Sequence, residues 1–199
     1  MPTPMRVEPV TLEGRFVRME PLSITHVDAL TAVGLDPDLW TWIPTAVRTP
    51  QEMREYVEIA LNDQAAGRCL PFVTIERATN TVVGSSRFLA IDTTHRRVEI
   101  GGTWIGRPWQ RTSVNTEAKL LMLTHAFERW GCIRVELKTD RLNERSRNAI
   151  ARLGATEEGI FRRHMITASG RVRDTVYFSI LDSEWPTVQA RLSARLDRD

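Results

Sequence analysis

Apolar residues alternate with polar ones in some stretches of this chain and recur every three to four positions in others, so strands and helices are expected to interleave. Phe16, Val17, Met19 and Leu22 are spaced among charges over 15–22, the pattern of a first strand after an irregular start. A helix is expected over 25–35, ending near Gly34. A second opens at Thr49, which stands as N-cap before Pro50 and Glu52, and should stop at Gly67. Residues 70–76 and 82–91 read as strands joined by the Ala78-Thr79-Asn80 turn, and 98–105 as the next strand.

Over 115–130, Ala118, Met122, Ala126 and Trp130 recur at spacing four, and Leu121, Leu123 and Phe127 widen the stripe into that of a well-buried helix. Gly131 ends it, and 133–137 alternates as a strand. Asn143 caps a short helix with Ala149, Ile150 and Leu153 inward, which Gly154 stops. Residues 158–167 and 171–181 pair through an Ala168-Ser169-Gly170 turn. The tail 183–199 places Val188, Leu192 and Leu196 on one face of an amphipathic helix. Internal repeats, linkers and low-complexity tracts are absent from the pattern.

With 199 residues and 42% hydrophobic content, the chain supports one sizeable core, so a single domain over 1–199 is expected. Its 27 basic and 25 acidic side chains interleave to a net charge of +2, which leaves no footprint for nucleic acid. No run approaches the roughly 18 apolar residues of a membrane span, and the start lacks the pattern of a secretory signal, so a cytoplasmic protein without a membrane partner is expected. Cys69 and Cys132 are isolated thiols without metal-ligand spacing, so neither a disulfide framework nor a metal site is expected.

The segment from Trp104 to Ala118 passes from an apolar strand through a basic turn into the long helix. A helix start offers backbone amides without intrahelical partners and the positive end of the dipole, which together suit a phosphate. Arg107 and Arg111 add charge on the approach, and Thr112, Ser113 and Thr116 add hydroxyl donors. Neither a Walker loop nor a GxGxxG triad is present. On this chemistry alone, an ordinary strand-to-helix turn with exposed arginines competes equally.

The element order, with Trp104-Ile105, Asn115-Thr116-Glu117-Ala118, Asn143-Glu144-Arg145-Ser146, Leu153-Gly154-Ala155, Glu158-Gly159, Gly170 to Asp174 and Glu184-Trp185, resembles the GCN5-related N-acetyltransferase (GNAT) superfamily. The likeness is closest to its RimJ/RimL-type branch, which acetylates protein N-termini and assorted small amines. The resemblance implies an α/β fold of α+β type, with a strongly twisted central mixed sheet flanked by helices. It also implies acetyl-CoA as cosubstrate without a metal, with the pantetheine arm along 98–105 and the diphosphate at 110–116. The residues it implies for cofactor contact are Trp104, Ile105, Gly106, Gln110, Arg111, Thr112, Ser113, Val114, Asn115, Thr116, Asn143 and Ser146. One departure stands out: after Gln110, Ser113 and Asn115 occupy places where the family usually has glycine, or glycine then alanine.

For catalysis, Glu99 is the leading general base, against the alternative of an exposed strand carboxylate balancing Arg96 or Arg97. Ser146 is read as proton donor to the departing thiolate, as a cofactor contact, or as part of the cap at Asn143. A backbone N–H near Trp104 or Ile105 is the candidate for steadying the oxyanion. Trp40 and Trp42 are candidate walls of the acceptor site or else core. His164 reads as a surface or packed residue, Glu117 as a complement to the helix dipole, and Asp174 as a partner of Arg162, Arg163 or Arg173. Deprotonating a lysine at pH 7 costs about 4 to 5 kcal/mol against about 1 for an α-amine, so weak base equipment favours an α-amino acceptor.

The expected activity is therefore acetyl transfer to a protein or peptide N-terminal amine. The alternatives are a small amine, such as an antibiotic, polyamine or amino acid derivative, and a non-catalytic acyl-CoA-binding module. A homodimer through the terminal hairpin or the last helix is one use of those elements, and a tail covering its own core is the other.

Overall fold

Caps and turns fix the helix boundaries. Thr49 Oγ1 accepts from Glu52 N at 3.1 Å and opens a helix at Pro50, and Asn143 Oδ1 accepts from Ser146 N at 3.0 Å at the start of another. Gly154, at φ 106°, ends that second helix in a conformation costly for any residue with a Cβ. The computed structural model describes residues 5–198. In chain order its elements are β1 (Leu12–Glu13), β2 (Val17–Pro21), α1 (Val27–Gly34), α2 (Pro50–Ala65), β3 (Cys69–Glu76), β4 (Thr81–Asp92), β5 (Arg97–Ile105), α3 (Ser113–Thr124), β6 (Arg134–Asp140), α4 (Glu144–Leu153), β7 (Thr156–Ile166), β8 (Val172–Leu181) and α5 (Trp185–Leu196).

The eight strands form one sheet in the order β1-β2-β3-β4-β5-β6-β8-β7. Every neighbouring pair is antiparallel except β5 and β6. Alternation along the strands feeds two cores. Phe72, Phe88, Val98, Ile100 and Ile105 pack under α3, α4 and α5, whereas Val73, Ile75 and Trp104 pack under α1 and α2. Trp185, Val188, Leu192 and Leu196 of α5 are buried, so the tail covers its own core. β7 forms one edge of the sheet and β1 the other, and Phe161 and Ile166 of β7 are exposed.

Two differences from the sequence expectation concern the central helix. It starts at Ser113 rather than 115, because Thr112 takes the cap position and accepts from Val114 N at 3.3 Å. It also closes in a wider π-type turn over His125–Arg129 before Gly131. The short β1 and the 3-10 turns at 24–26, 37–39 and 107–109 are too brief to leave a periodic signature.

Candidate active site

The sheet opens beside Glu99. β5 and β6 are bridged at Arg97–Arg134, Val98–Val135 and Glu99–Glu136, after which β5 runs on to Ile105 and β6 to Asp140 with no further pairing. β6 stays fully paired with β8 and β5 returns to register with β4, so the two halves of the sheet diverge as a wedge. The sequence allows this at Gly101-Gly102. Gly102 has φ +58° and sits in a bulge, where β5 spends one residue more than β4 between the Arg87–Gly101 and Ser85–Trp104 pairs.

A cavity of about 470 Å³ occupies the wedge and reaches both faces of the sheet. Asn143 and Ile150 of α4 and Lys119 of α3 border it on one side, and Trp42, Tyr56 and Met165 on the other. Glu99 lies in its lining, with a side chain only 8% exposed and Oε2 2.6 Å from Lys138 Nζ. Burial raises the Glu99 pKa, and the charge and hydrogen bond of Lys138 only partly offset that rise. Burial alone would lower Lys138, but Glu99 and then Tyr177 outweigh it and leave the amine raised. The alternative of a surface carboxylate balancing Arg96 or Arg97 is thus not what the fold builds.

Sequence reasoning missed four cations here. Arg87, Lys119, Lys138 and Arg173 all border the cavity. Lys119 lies on the sheet-facing side of α3, with Nζ 2.5 Å from Thr103 Oγ1 and 3.2 Å from Ser86 Oγ, and desolvation lowers its pKa to about 7. One signal was available for it, a lysine on the stripe that also carries Leu123. Arg87 stacks 4.3 Å over the Tyr56 ring, and Arg173 donates to Thr175 Oγ1 at 3.1 Å and to the Trp42 carbonyl at 3.2 Å. The contacts of Arg87 with Tyr56 and of Arg173 with Trp42 join distant segments and leave no trace in sequence spacing.

At the other end of β5, the strand-to-helix turn is drawn together by Gln110. Its Nε2 donates to the Ile105 carbonyl at 2.8 Å, and its Oε1 accepts from Arg145 Nη2 at 2.6 Å, so β5, the loop and α4 are tied at one point. Thr112 Oγ1 donates to the Trp109 carbonyl at 2.7 Å while capping α3, whose first turn carries no acidic residue. Arg111 adopts φ +65°, is exposed and has no ion-pair partner among the described residues. Arg107, expected to add charge to this approach, is instead committed to Asp36 at 2.8 Å and Asp38 at 2.6 Å.

Ser113 and Asn115 are half-buried at the helix start, Val114 and Thr116 are buried, and Asn115 Oδ1 has no partner. Polar donors, a free guanidinium and an orphaned amide oxygen make this turn chemically suited to the diphosphate and amide groups of a coenzyme A ester.

The other expected residues fall as follows. Ser146 is half-buried in the first turn of α4, next to Asn143 but outside the cavity lining. Trp42 borders the cavity, whereas Trp40 is packed against Tyr56 and Trp104 in the core under α1 and α2. The Trp104 ring belongs to that core as well, and its carbonyl faces Gly84 of β4 rather than the wedge. Ile105 is buried in the opposite core, and Gly106 donates its N–H to the Val83 carbonyl at 2.7 Å. His164 is exposed beside Phe161 and Tyr177. Asp174 accepts from the Arg163 backbone at 2.7 Å and pairs with Arg141 at 3.5 Å, so the expected side-chain partners are corrected to Arg141.

Glu117 needs a correction too. It does not serve the helix dipole but accepts the backbone N–H groups of Arg15, Phe16 and Val17 at 2.7, 2.6 and 2.7 Å. Buried and partly buried amides at the start of β2 take precedence over the distant dipole.

Comparison with known proteins decides the family. The model of the acetyltransferase (GNAT) domain matches residues 17–156. The chain belongs to the GNAT family. The crystal structure of a GCN5-related N-acetyltransferase from Brucella melitensis is 34% identical at a TM-score of 0.87, over 94% of this chain and 86% of that one. YdaF of Bacillus subtilis, named provisionally as a ribosomal N-acetyltransferase, is 35% identical over 95 residues, 48% of this chain and about half (51%) of YdaF. RimJ of Mycobacterium smegmatis, solved in complex with CoA-disulfide, shares the fold at a TM-score of 0.81 and 23% identity, over 94% of this chain and 95% of that one. Among the described residues of this GNAT chain, no helix is long and apolar enough to cross a membrane, and no cluster of metal-ligating side chains occurs.

Proposed function

We propose that this GNAT chain, one domain throughout, transfers an acetyl group from acetyl-CoA to the α-amine of a protein or peptide N-terminus in the cytoplasm, in the manner of the RimJ/RimL-type branch. The observation that carries this reading is the wedge between β5 and β6, entered from both faces of the sheet with Glu99 at its apex. Coenzyme A would lie against the α3 and α4 face, its diphosphate held by Gln110 to Thr116 and its pantetheine arm by Asn143. The amine would enter past Trp42 and Tyr56 from the other face.

Acetyl-CoA supplies the activated acyl group. Glu99 Oε1 or Oε2 takes the proton of the amine, directly or through water, and the raised pKa of this carboxyl brings it closer to the pH at which it must act. Cationic side chains around the cavity disfavour the ammonium form of the acceptor, which leaves more of it nucleophilic. An α-amine, with a pKa of about 8, benefits from that push far more readily than a lysine at about 10.4. Ser146, in the first turn of α4 beside Asn143 but outside the cavity lining, would donate a proton to the sulfur as it leaves the cavity toward α4, and a β5 amide beyond Glu99, where pairing with β6 has ended, would steady the oxyanion. A small amine is the second reading, favoured by a cavity whose 470 Å³ falls in the size class of small-ligand sites, about 300 to 1,000 Å³.

Thiol release from acetyl-CoA tests the proposal. A peptide with a free N-terminus should be acetylated faster than one offering only an internal lysine. A preference for lysine contradicts the argument that the cationic cavity favours the amine of lower pKa. Stabilisation by CoA with no thiol released from any amine makes the chain a binding module.

A further inference from the structure

The acceptor side of the cavity carries more positive charge than its own residues neutralise. Glu99 is the one carboxylate in the lining among the described residues, and Lys138 takes it. Arg87 of β4 and Arg173 of β8 border the same cavity, and neither has a carboxylate within ion-pairing distance among the described residues. Asp140, the acid that acts most strongly on Arg173, is committed to Arg171.

Arg87 is the sharper case. It is 9% exposed, and its Nε and Nη2 are buried without a hydrogen-bond partner. The Tyr56 ring holds its guanidinium from one side, and its stem passes the Gly102 bulge, where a Cβ would lie 3.4 Å from Arg87 Cδ. Leaving a buried guanidinium unmatched is costly, and the cost is relieved when an anion completes the pair. Arg173 is pinned by its bonds to Thr175 and to the Trp42 carbonyl, so it is pre-positioned at the rim where Trp42 borders the cavity. Its pKa is lowered, chiefly by burial, as expected of a cation still lacking its full complement.

We propose that the acceptor amine carries a carboxylate close to it, and that Arg87, assisted by Arg173, binds that carboxylate. The planar guanidinium fork matches a carboxylate with two parallel hydrogen bonds, whereas the amine end of the same molecule is repelled unless neutral. The two ends of the acceptor are thus sorted: the anion goes to Arg87, and the amine to Glu99 and the wedge. This inference rests on the amine-acetylating reading above and specifies its substrate as an acidic amine. The carboxylate has two sources, the side chain of an acidic residue next to a peptide N-terminus or the α-carboxylate of a free amino acid.

Matched acceptors separate these sources. With wild-type protein and acetyl-CoA, kcat/KM is compared for a Ser-Asp against a Ser-Asn N-terminal peptide, and for serine against serinamide. The acidic member should win by about tenfold or more in one pair, the worth of a charge-assisted hydrogen bond. A peptide preference assigns the carboxylate to a side chain, and an amino-acid preference assigns it to the α-carboxylate.

Arg87→Gln should reduce the ratio within that pair to about twofold or less, and Arg173→Gln should reduce it in part. Calorimetric binding of the N-acetylated acid and amide products, with CoA present, gives a readout independent of turnover. If no amine is acetylated, the transferase reading fails, yet tighter binding of the acidic product, lost in Arg87→Gln, still supports the carboxylate site. Equal rates and equal binding for acid and amide overturn the proposal. A preference that survives both substitutions overturns it as well. Should Arg87→Gln fail to fold, the wild-type ratios and Arg173→Gln decide.

Discussion

Lys138 Nζ lies 2.6 Å from Glu99 Oε2 at the point where the two central strands begin to part. The pair keeps a buried carboxyl within working range. Without the ammonium, burial alone would hold the proton on Glu99 to a higher pH. Activity that needs ionised Glu99 should rise with pH through its pKa. Lys138→Met is therefore expected to move the acidic limb of kcat/KM to higher pH by about one unit or more. Glu99→Gln should abolish that limb and lower kcat by about a hundredfold or more. A full set of pH–rate profiles checks both.

Lys119 should set the pH dependence of stability. Its pKa falls from 10.5 to about 7 in the fold, so between those values the unfolded chain binds the extra proton and stability rises with pH. Lys119→Met removes this term. Ser86 and Thr103 remain satisfied without the ammonium, because their hydroxyls lie 2.7 Å apart. The variant should be more stable at pH 7 by on the order of 3 kcal/mol, with the gain shrinking toward pH 10. Urea denaturation at pH 7, 8.5 and 10 measures the trend.

Glu117 and Gly14 should behave as one structural unit. Glu117 accepts three backbone amides at the start of β2, and a Cβ on Gly14 would come within 2.3 Å of its Cδ. Glu117→Ala is expected to destabilise the fold by about 2 kcal/mol or more, since a buried amide such as that of Val17 left unpaired costs about 1 to 3 kcal/mol and the two partly buried ones add to it. Gly14→Ala should also lower stability, by displacing the carboxylate. Midpoints of chemical denaturation check both substitutions.

Reversing the charge of Arg111 should act on the cofactor alone. The side chain is exposed and has no ion-pair partner among the described residues, so Arg111→Glu is expected to weaken CoA affinity about tenfold or more while leaving the melting temperature nearly unchanged. Equilibrium titration with CoA, alongside a thermal melt, tests this separation.

Much of this architecture is legible in the chain because its signals are local. Thr49-Pro50, Asn143 and Gly154 mark helix ends through cap chemistry within a few residues, and the spacing of Ala118, Met122 and Ala126 marks the buried face of α3 and of the π-type turn that follows it. Glu99 is legible only as an acid on a strand. What makes it a candidate base is the departure of β6 from β5 and the arrival of Lys138, neither of which has a local pattern. Arg107 illustrates the opposite error, since position in sequence suggested a phosphate contact and Asp36 and Asp38, some seventy residues earlier, claim it in space. Trp40 and Trp42 are neighbours of the same type, and the turn between them sends one into the core and the other to the cavity.

On this reading the β5–β6 wedge receives the thioester. A crystal structure with bound CoA is the decisive measurement. The diphosphate is expected at residues 110–116 and the sulfur inside the cavity beside Glu99 and Asn143. A diphosphate bound away from the start of α3, or a sulfur outside the wedge, would contradict it.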